Sequence, residues 1–270
     1  MTKSCGTIMA RKEWGASKCC AHPTQSIEYQ RMFLIQKAVF EDFFRKCFSK
    51  NAFDFKDKIK EKFMKVLLLN GSPHAKGTTY AALDEVAKTL ASEGIDSEII
   101  QIGHLAIRGC AGCYACSKLQ KCVFDDVVNE IAKKFEEADG LIVGSPVHYA
   151  APSGALVSLL DRLFYSTRFD KRGKVGASVV CARRGGCTAA FDVLNKYFSI
   201  SGMPMATSTY WNQVHGANAE EAVIDEEGMQ CMRNLARNTA FLIKSLKLGK
   251  DEYGMPEAEK RFRTNFIRNQ

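Results

Sequence analysis

The sequence predicts an α/β fold in which helices cover both faces of a parallel sheet. Between residues 64 and 248, apolar runs of strand length alternate with longer segments of helical periodicity, an order that produces βαβ units. The runs at 64–69 and 140–146 are almost continuously apolar, as is typical of strands buried on both faces. Each is followed by a turn that contains Gly, Ser and Pro. We therefore expect one α/β domain built around these two strands.

The elements can be assigned in chain order. We expect strands at 64–69, 96–102, 140–146, 174–181 and 204–210, and helices at 79–92, 126–138, 155–165, 189–200 and 226–246. Gly94 follows the first helix and supplies a stop signal. The expected organisation is an N-terminal extension (1–63), the α/β domain (64–248) and a C-terminal tail (249–270).

The extension is expected to be disordered at first and then helical. Residues 1–26 show no periodicity, whereas apolar residues from Ile27 to Phe48 recur every three or four positions. That spacing is typical of an amphipathic helix, here with an aromatic face. The face can pack on the domain, on a partner subunit or on a membrane surface, and we favour packing.

The composition narrows the class of function. No apolar run reaches the roughly 18 residues of a transmembrane helix, and the N-terminus does not resemble a signal peptide. The net charge is +8, but the first 63 residues hold 13 Lys and Arg against 7 Asp and Glu, so the domain lacks the basic surface that nucleic-acid binding needs. No Ser-His-Asp set or carboxylate pair indicates hydrolysis. Eleven cysteines favour a reducing, cytoplasmic compartment.

We expect the rest of the domain to be arranged around the stretch from Met64 to Thr79. It reads as a strand, a turn rich in Gly, Pro and hydroxyl groups, and the start of a helix. A helix N-terminus has unpaired N–H groups and partial positive charge, so this turn is a candidate phosphate site, with hydroxyl donors from Ser72, Thr78 and Thr79. An ordinary strand, turn and helix is the alternative, because short Gly-rich turns are common.

Three loops are expected to meet at one edge of the sheet. Ligands of open parallel sheets bind beyond the carboxyl ends of the strands, where we place loops 72–79, 146–154 and 182–187. The fifth strand is expected to bring Tyr210 and Trp211 to the same edge. A planar aromatic ligand with a phosphate tail suits this arrangement. No Gly-x-Gly-x-x-Gly motif follows a strand, so a Rossmann dinucleotide site is not predicted.

Two pairs of segments carry a family resemblance. The first pair is Gly71-Ser72-Pro73 with Gly77-Thr78-Thr79, and the second is Gly144 to Tyr149 with Asp161-Arg162. Together they resemble the flavodoxin-fold NAD(P)H-dependent FMN reductases, over roughly residues 64–248. The resemblance implies a flavodoxin-like three-layer fold with a five-stranded parallel sheet, bound FMN, NAD(P)H as donor, and a homodimer or homotetramer. The FMN contacts that it implies are the phosphate with Ser72, Thr78 and Thr79, the isoalloxazine with Pro146, Val147, His148 and Tyr149, and its pyrimidine edge with Arg183, Arg184, Gly185 and Gly186. Many relatives carry Arg after the Ser-Pro; His74 stands there in this chain, which leaves the phosphate charge to Lys76, the helix terminus and the hydroxyls.

Other residues near this edge have two interpretations each. Tyr210, Trp211 and His215 are candidates for the substrate face of the flavin, and rim packing explains them equally well. Positive charge from the arginine pair at 183–184 would favour the anionic reduced flavin, although exposed arginines are common. The Asp161-Arg162 pair on the third helix of the domain is expected to be structural or to lie at a subunit contact rather than to be catalytic.

Four cysteines, Cys110, Cys113, Cys116 and Cys122, lie between the second strand and the next helix. Three thiolates at intervals of three residues converge on a metal centre only if the backbone curls around it. Such a run is more typical of a 4Fe-4S cluster than of zinc, and it is similar to that of the iron-sulfur flavoproteins, a branch of the same group. Free or disulfide-forming thiols are the second interpretation, and zinc is the third.

Three functions remain open on the sequence. The first is an FMN-dependent NAD(P)H oxidoreductase that reduces a small acceptor, such as a quinone, a nitro or azo compound, or a flavin. The second is an iron-sulfur flavoprotein electron carrier that receives electrons from ferredoxin. The third is a flavin-binding interaction module whose N-terminal helix recruits a partner.

Overall fold

A computed structural model describes residues 64–260, 262 and 264. Its strands are β1 (Lys65–Asn70), β2 (Asp96–Gln101), β3 (Gly140–His148), β4 (Ala151–Pro152), β5 (Val175–Ala182) and β6 (Gln213–His215). Five of them are parallel, in the order β2, β1, β3, β5, β6, and β4 pairs antiparallel with the end of β3. This is the flavodoxin-like strand order. The predicted five-stranded parallel sheet is confirmed.

The helices follow the predicted order, with two additions. They are α1 (Thr78–Ser92), α2 (Cys116–Leu119), α3 (Val127–Glu137), α4 (Gly154–Ser166), α5 (Cys187–Ile200), α6 (Ala219–Ile224) and α7 (Glu226–Tyr253). The short helices α2 and α6 were not predicted, and α7 continues beyond the predicted end at residue 246. Asp126, Ser153, Asn218 and Asp225 cap the N-termini of α3, α4, α6 and α7 with their side chains, as these residue types commonly do.

Alternate residues of β1 face opposite helix layers, as the two-residue period of a strand requires. Leu67 and Leu69 belong to one buried apolar cluster with residues of α3, α4 and α5. On the other face, Val66 and Ile243 of α7 flank Gly140, and α1 packs against α7. The three-layer prediction is therefore confirmed.

The predicted strand at 204–210 is wrong. Only Met205 makes a bridge there, with Gly176 of β5, and the chain then leaves the sheet until β6. The Asn212 side chain donates to the Ser178 carbonyl over 3.0 Å, so a side-chain amide replaces the backbone N–H that a continuing strand would supply. The apolar residues in this segment had suggested a strand, although the backbone bonds are made at one position only.

The N-terminal extension predicted for residues 1–63 stays a prediction. The amphipathic helix predicted between residues 27 and 48 lies outside the described residues. Within the described part, no helix combines the length and the apolar character that a membrane span requires.

Candidate cofactor site

The loop that follows β1 is fixed by hydrogen bonds to its own backbone. The buried Ser72 donates its N–H to Asn70 Oδ1 over 3.1 Å, and its Oγ accepts the His74 N–H over 3.1 Å. Gln101 Nε2 donates to the Ser72 carbonyl over 2.6 Å. Gly77 precedes α1 and has no side chain to cap it. The first N–H groups of α1 therefore remain available for an anion.

The exposed part of this loop carries the positive charge that the sequence predicted for a phosphate site. Residues 73–76, which include His74 and Lys76, are exposed, whereas Ser72 is buried beneath them. The backbone at Gly103 packs directly against this loop, since a Cβ on Gly103 would come within 2.2 Å of the Ser72 carbonyl group. Only glycine allows these two segments of the chain to approach this closely.

The hydroxyl groups of Thr78 and Thr79 have other partners in this structure. Thr78 Oγ1 donates to the Gly216 and Asn218 carbonyls over 3.2 and 3.1 Å. Thr79 is 1% exposed, and it lies against the sheet near Cys181, where burial raises the pKa of the thiol to about 12 and the Thr79 hydroxyl partly offsets that effect. The two threonines are thus placed at the start of α1 as predicted, with their backbone N–H groups better placed for an anion than their hydroxyls. Their predicted phosphate contacts stay predictions.

The hairpin between β3 and β4 has an unusual backbone. Tyr149 and Ala150 both have positive φ, at 49° and 59°, and Tyr149 is fully exposed at 105%. Two successive residues of positive φ suit a tight hairpin turn, normally with Gly or Asn. A non-glycine residue with positive φ costs free energy that the surrounding structure must offset, and such backbone strain is often found at ligand sites.

The loop after β5 packs on this hairpin. Gly186 has φ of 92°, and a Cβ placed on it would lie 2.9 Å from Val147 Cγ1. Arg183 and Arg184 are exposed on the same loop. The structure therefore brings two of the predicted groups together, the hairpin segment 146–149 and the loop 183–186, at the carboxyl edge of the sheet.

The predicted substrate-face residues separate into two locations. His215 ends β6 opposite Ala182 of β5, and its Nδ1 lies 3.2 Å from the Ala182 carbonyl oxygen. Tyr210 and Trp211, whose rings lie 4.9 Å apart, precede β6 instead of following it. The prediction that these two residues lie at the carboxyl end of the fifth strand is wrong, because that strand begins only at Gln213.

All four clustered cysteines line one pocket. Cys116 and Cys122 are buried, and Cys110 and Cys113 are exposed at its mouth. The backbone between them curls through three residues of positive φ, namely Gly112, Tyr114 and Gln120. The backbone therefore turns sharply at three positions between these cysteines. All seven cysteines in the described residues are free thiols.

The described residues contain no group of three or more His, Cys, Asp or Glu side chains close enough to share a single metal ion. Thiolates that bind different irons of a cluster lie farther apart than ligands of one ion, because each iron takes its own cysteine. Four thiols around one pocket suit a polynuclear cluster in chemistry and number.

Arg162 of α4 reaches the same pocket, which the sequence reasoning missed. It is 1% exposed, and its Nε donates to Cys122 Sγ over 3.2 Å. Its Nη1 and Nη2 bind both carboxylate oxygens of Asp126 over 2.7 and 2.8 Å. Burial alone would lower the pKa of Arg162 and raise that of Asp126, but the pair holds the arginine pKa above and the aspartate pKa below its usual range. The available signal is the Asp161-Arg162 pair, which is interpreted from the sequence as structural or as part of a subunit contact.

Asp161, in contrast, points to a different neighbour. Its Oδ1 accepts a hydrogen bond from Tyr197 Oη, and burial together with this carboxylate raises the pKa of Tyr197. The predicted structural role of Asp161 agrees with that contact.

Fold and site together define a flavodoxin-like protein with a phosphate-type loop and a separate cysteine pocket. The model of the NADPH-dependent FMN reductase family matches residues 64–218, which is more than half of the chain. The chain belongs to that family of FMN-dependent oxidoreductases, in its iron-sulfur flavoprotein branch.

The similar proteins have the following names. The iron-sulfur flavoprotein MJ1083 of Methanocaldococcus jannaschii is 33% identical over 192 residues, covering 68% of this chain and 100% of that protein. The iron-sulfur flavoprotein of Methanosarcina thermophila is 29% identical over 195 residues, covering 70% and 100%. The FMN reductase (NADPH) of Escherichia coli is 32% identical over 127 residues, covering 47% and 59%.

Solved structures support the fold alone. RosB, crystallised with 8-demethyl-8-formylriboflavin-5'-phosphate, aligns with a TM-score of 0.57 at 16% identity, over 77% of this chain and 95% of that one. A flavone reductase aligns with a TM-score of 0.51 at 16% identity, over 68% and 64%.

Proposed function

We propose that this protein binds FMN at the carboxyl edge of its sheet, holds a 4Fe-4S cluster in the cysteine pocket, and reduces a small acceptor. Quinones, nitro and azo compounds and flavins are the acceptor classes. The observation that carries the proposal is the presence, in one domain, of an uncapped helix N-terminus with an exposed cationic loop and of a pocket lined by four thiols. Each of these two sites supplies what one redox cofactor needs.

The flavin site works through position. Bound FMN supplies hydride acceptance at its N5 atom and one-electron release. The N–H groups that begin α1, together with Lys76, would hold its phosphate, and the hairpin at 146–149 would line its ring. Arg183 and Arg184 lie on the loop that packs on this hairpin, where positive charge would favour the reduced, anionic ring.

The cysteine pocket has the donor set that a cluster requires. A bound 4Fe-4S cluster supplies one-electron transfer. Cys116 and Cys122 would bind its buried side and Cys110 and Cys113 its exposed side. Support also comes from the related proteins that are named iron-sulfur flavoproteins.

The donor defines two forms of the proposal. The NADPH-dependent family supports NAD(P)H, which would stack on the ring without a dinucleotide fold of its own. The cysteine pocket supports a second candidate, an electron carrier that receives single electrons from ferredoxin. An exposed pocket mouth at Cys110 and Cys113 suits an external electron donor.

We also propose a homodimer or homotetramer. Tyr114, Tyr165 and Ile200 are 68%, 51% and 77% exposed and line a groove that shares Cys110 and Cys116 with the cysteine pocket. Exposed apolar side chains in one groove are typical of an interface.

Anaerobic purification of the full chain tests these proposals together. Native mass spectrometry should report FMN, iron and subunit number, and the flavin absorbance should bleach with NADPH or NADH alone if nicotinamide is the donor. Bleaching that requires reduced ferredoxin would favour the electron carrier. A folded chain that takes up no FMN when the cofactor is added would contradict the flavin proposal, and one that binds FMN but no iron would contradict the cluster alone.

A further inference from the structure

We infer that Arg162 is a positioning residue for the cysteine pocket: it orients Cys122 and sets the reduction potential of the cluster bound there. The inference deepens the proposed function and rests on the cluster that it assigns to this pocket. It starts from the contact between Arg162 Nε and Cys122 Sγ, 3.2 Å apart in the buried part of the pocket.

The guanidinium is fixed in one orientation by all of its donors. Arginine has five N–H groups, and each has an acceptor here. Besides Cys122 Sγ, these are the two carboxylate oxygens of Asp126 and the carbonyls of Arg108 and Phe124, both at 3.3 Å. With the remaining four donors engaged, Nε has no freedom to turn away from the sulfur.

Cys122 is held from the backbone side as well. Its N–H donates to Asn129 Oδ1 over 3.0 Å, and Asn129 Nδ2 donates back to its carbonyl over 3.1 Å. The same α3 helix carries Asp126 at its N-cap, so both residues that hold Cys122 and Arg162 belong to one rigid element. The sulfur position is therefore defined before any metal binds.

The contact is specific to one cysteine of the four. Cys116 Sγ lies 3.9 Å from the Tyr165 carbonyl oxygen, a neutral partner, and Cys110 and Cys113 are exposed. Hydrogen bonds and charge near the sulfurs set the reduction potential of iron-sulfur clusters. A buried cation that donates to Cys122 makes it easier to add one electron, and hence one negative charge, to the cluster.

Asp126 has the opposite effect on the same quantity. Its carboxylate is the counter-charge of Arg162, so removing that charge leaves the guanidinium positive beside the sulfur. Arg162 and Asp126 should consequently shift the potential in opposite directions, which a purely structural ion pair would not do.

The experiment compares five anaerobically purified full-length proteins: wild type, Arg162→Gln, Arg162→Lys, Asp126→Asn, and Arg233→Gln as the matched control. Arg233 pairs with Glu85 between α7 and α1 over 2.7 Å, away from the cysteine pocket. Iron and FMN per chain are measured, and the cluster is titrated with one-electron mediator dyes to give its midpoint potential.

Arg162→Gln should make one-electron reduction about tenfold less favourable, which is about 59 mV more negative for a one-electron couple. Arg162→Lys keeps the charge but loses the fixed Nε donor, so a smaller shift of the same sign is expected. Asp126→Asn should shift the potential to more positive values, and Arg233→Gln should leave it unchanged.

An iron-loaded Arg162→Gln protein with the wild-type potential would overturn the inference, as would shifts of the same sign from Arg162→Gln and Asp126→Asn. If Arg162→Gln does not fold, the signs from Arg162→Lys and Asp126→Asn decide it. A wild-type protein without iron would overturn both the inference and the proposed cluster. If the wild type binds iron, the cluster stands and the potentials of the variants alone decide the inference.

Discussion

The carboxyl edge of the sheet and the cysteine pocket are built in different ways. The site at the edge is formed mainly by backbone, namely the uncapped start of α1, the strained hairpin at Tyr149 and the close approach of Gly186 to Val147. The cysteine pocket is formed mainly by side chains, namely four thiols and the buried Arg162. One region depends on conformation and the other on residue identity.

The difference has a consequence for substitutions. Side chains at the edge can change with modest effect if the backbone keeps its course, because N–H groups and loop shape bind the ligand. In the cysteine pocket a single change removes a ligand or leaves a buried charge unpaired, which is costly. The two regions should thus respond to opposite kinds of mutation.

The largest expected effect is the loss of iron from a cysteine variant. Cys122→Ser should lower iron content at least about 100-fold, because serine is a poor ligand for iron in a thiolate site. FMN content should stay at the wild-type level, since Cys122 lines the cysteine pocket, to which the loop before α1 contributes no residue. Iron and flavin are measured on the same sample.

Cys231→Ser is the matched control for that variant. Cys231 is also buried but lies on α7, where its sulfur contacts Thr209 Oγ1 at 3.6 Å. It should keep both cofactors. If Cys122→Ser keeps its full iron content, iron binding does not depend on the identity of this residue. The proposed difference between the two regions would then be wrong.

The next effect tests the backbone-built edge with two neighbouring glycines. Gly186→Ala forces a side chain into φ of 92° and within 2.9 Å of Val147 Cγ1, so we expect a loss of about 2 kcal/mol in the free energy of unfolding and weaker FMN binding. Gly185→Ala meets no atom within 4 Å and should change stability by less than about 0.5 kcal/mol. Urea unfolding and flavin titration measure both.

Equal behaviour of the two glycine variants would contradict this account. A Gly186→Ala protein that is destabilised but binds FMN normally would confine the role of the loop to stability. Iron content serves as the internal reference, because the cysteine pocket should not respond to either change.

The backbone-built region was the more predictable of the two. Rules for parallel sheets place the loops after β1, β3 and β5 at one edge from the sequence alone, and the structure does so. Tyr210 and Trp211 were misplaced because the strand that pairs with β5 begins only at Gln213, and the Asn212 side-chain bond to the Ser178 carbonyl just before it has no sequence signature.

The cysteine pocket was only half predictable. Spacing identified Cys110 to Cys122 and the need for a curled backbone. It did not identify Arg162, which lies forty residues from Cys122 in the chain and reaches it only after α4 packs beside α3. Long-range side-chain contacts of this kind follow from tertiary packing and leave no local pattern.

A second buried cation, outside the cysteine pocket, provides a contrast with Arg162. Lys171 is 8% exposed and donates to the Thr167 and Phe169 carbonyls, both over 3.3 Å. Burial, with repulsion from Arg168, lowers its pKa to about 8. Arg162 keeps its charge at every accessible pH, but Lys171 does not.

This pKa predicts a pH dependence of stability with a definite sign. Between pH 8 and the unfolded-state value of 10.5, the unfolded chain binds more protons at this lysine than the folded chain, so Lys171 should make stability rise with pH in that window. The slope should not exceed about 1.4 kcal/mol per pH unit. It is measured as the difference between wild type and Lys171→Met in urea unfolding at pH 7 to 10. If the difference in the free energy of unfolding stays constant across this pH window, the pKa of Lys171 is not lowered in the folded protein.

The smallest expected effect belongs to an exposed charge at the flavin edge. Lys76 is exposed on the loop before α1, where it would attract the FMN phosphate across solvent. Lys76→Glu should therefore weaken FMN binding several-fold at low salt, about 1 kcal/mol, and the effect should shrink as salt rises. Lys196→Glu, the same charge change at an exposed position of α5, should leave the flavin Kd unchanged. A loss that salt does not diminish would mean that Lys76 contacts the phosphate directly, and the edge would then depend on residue identity as the cysteine pocket does.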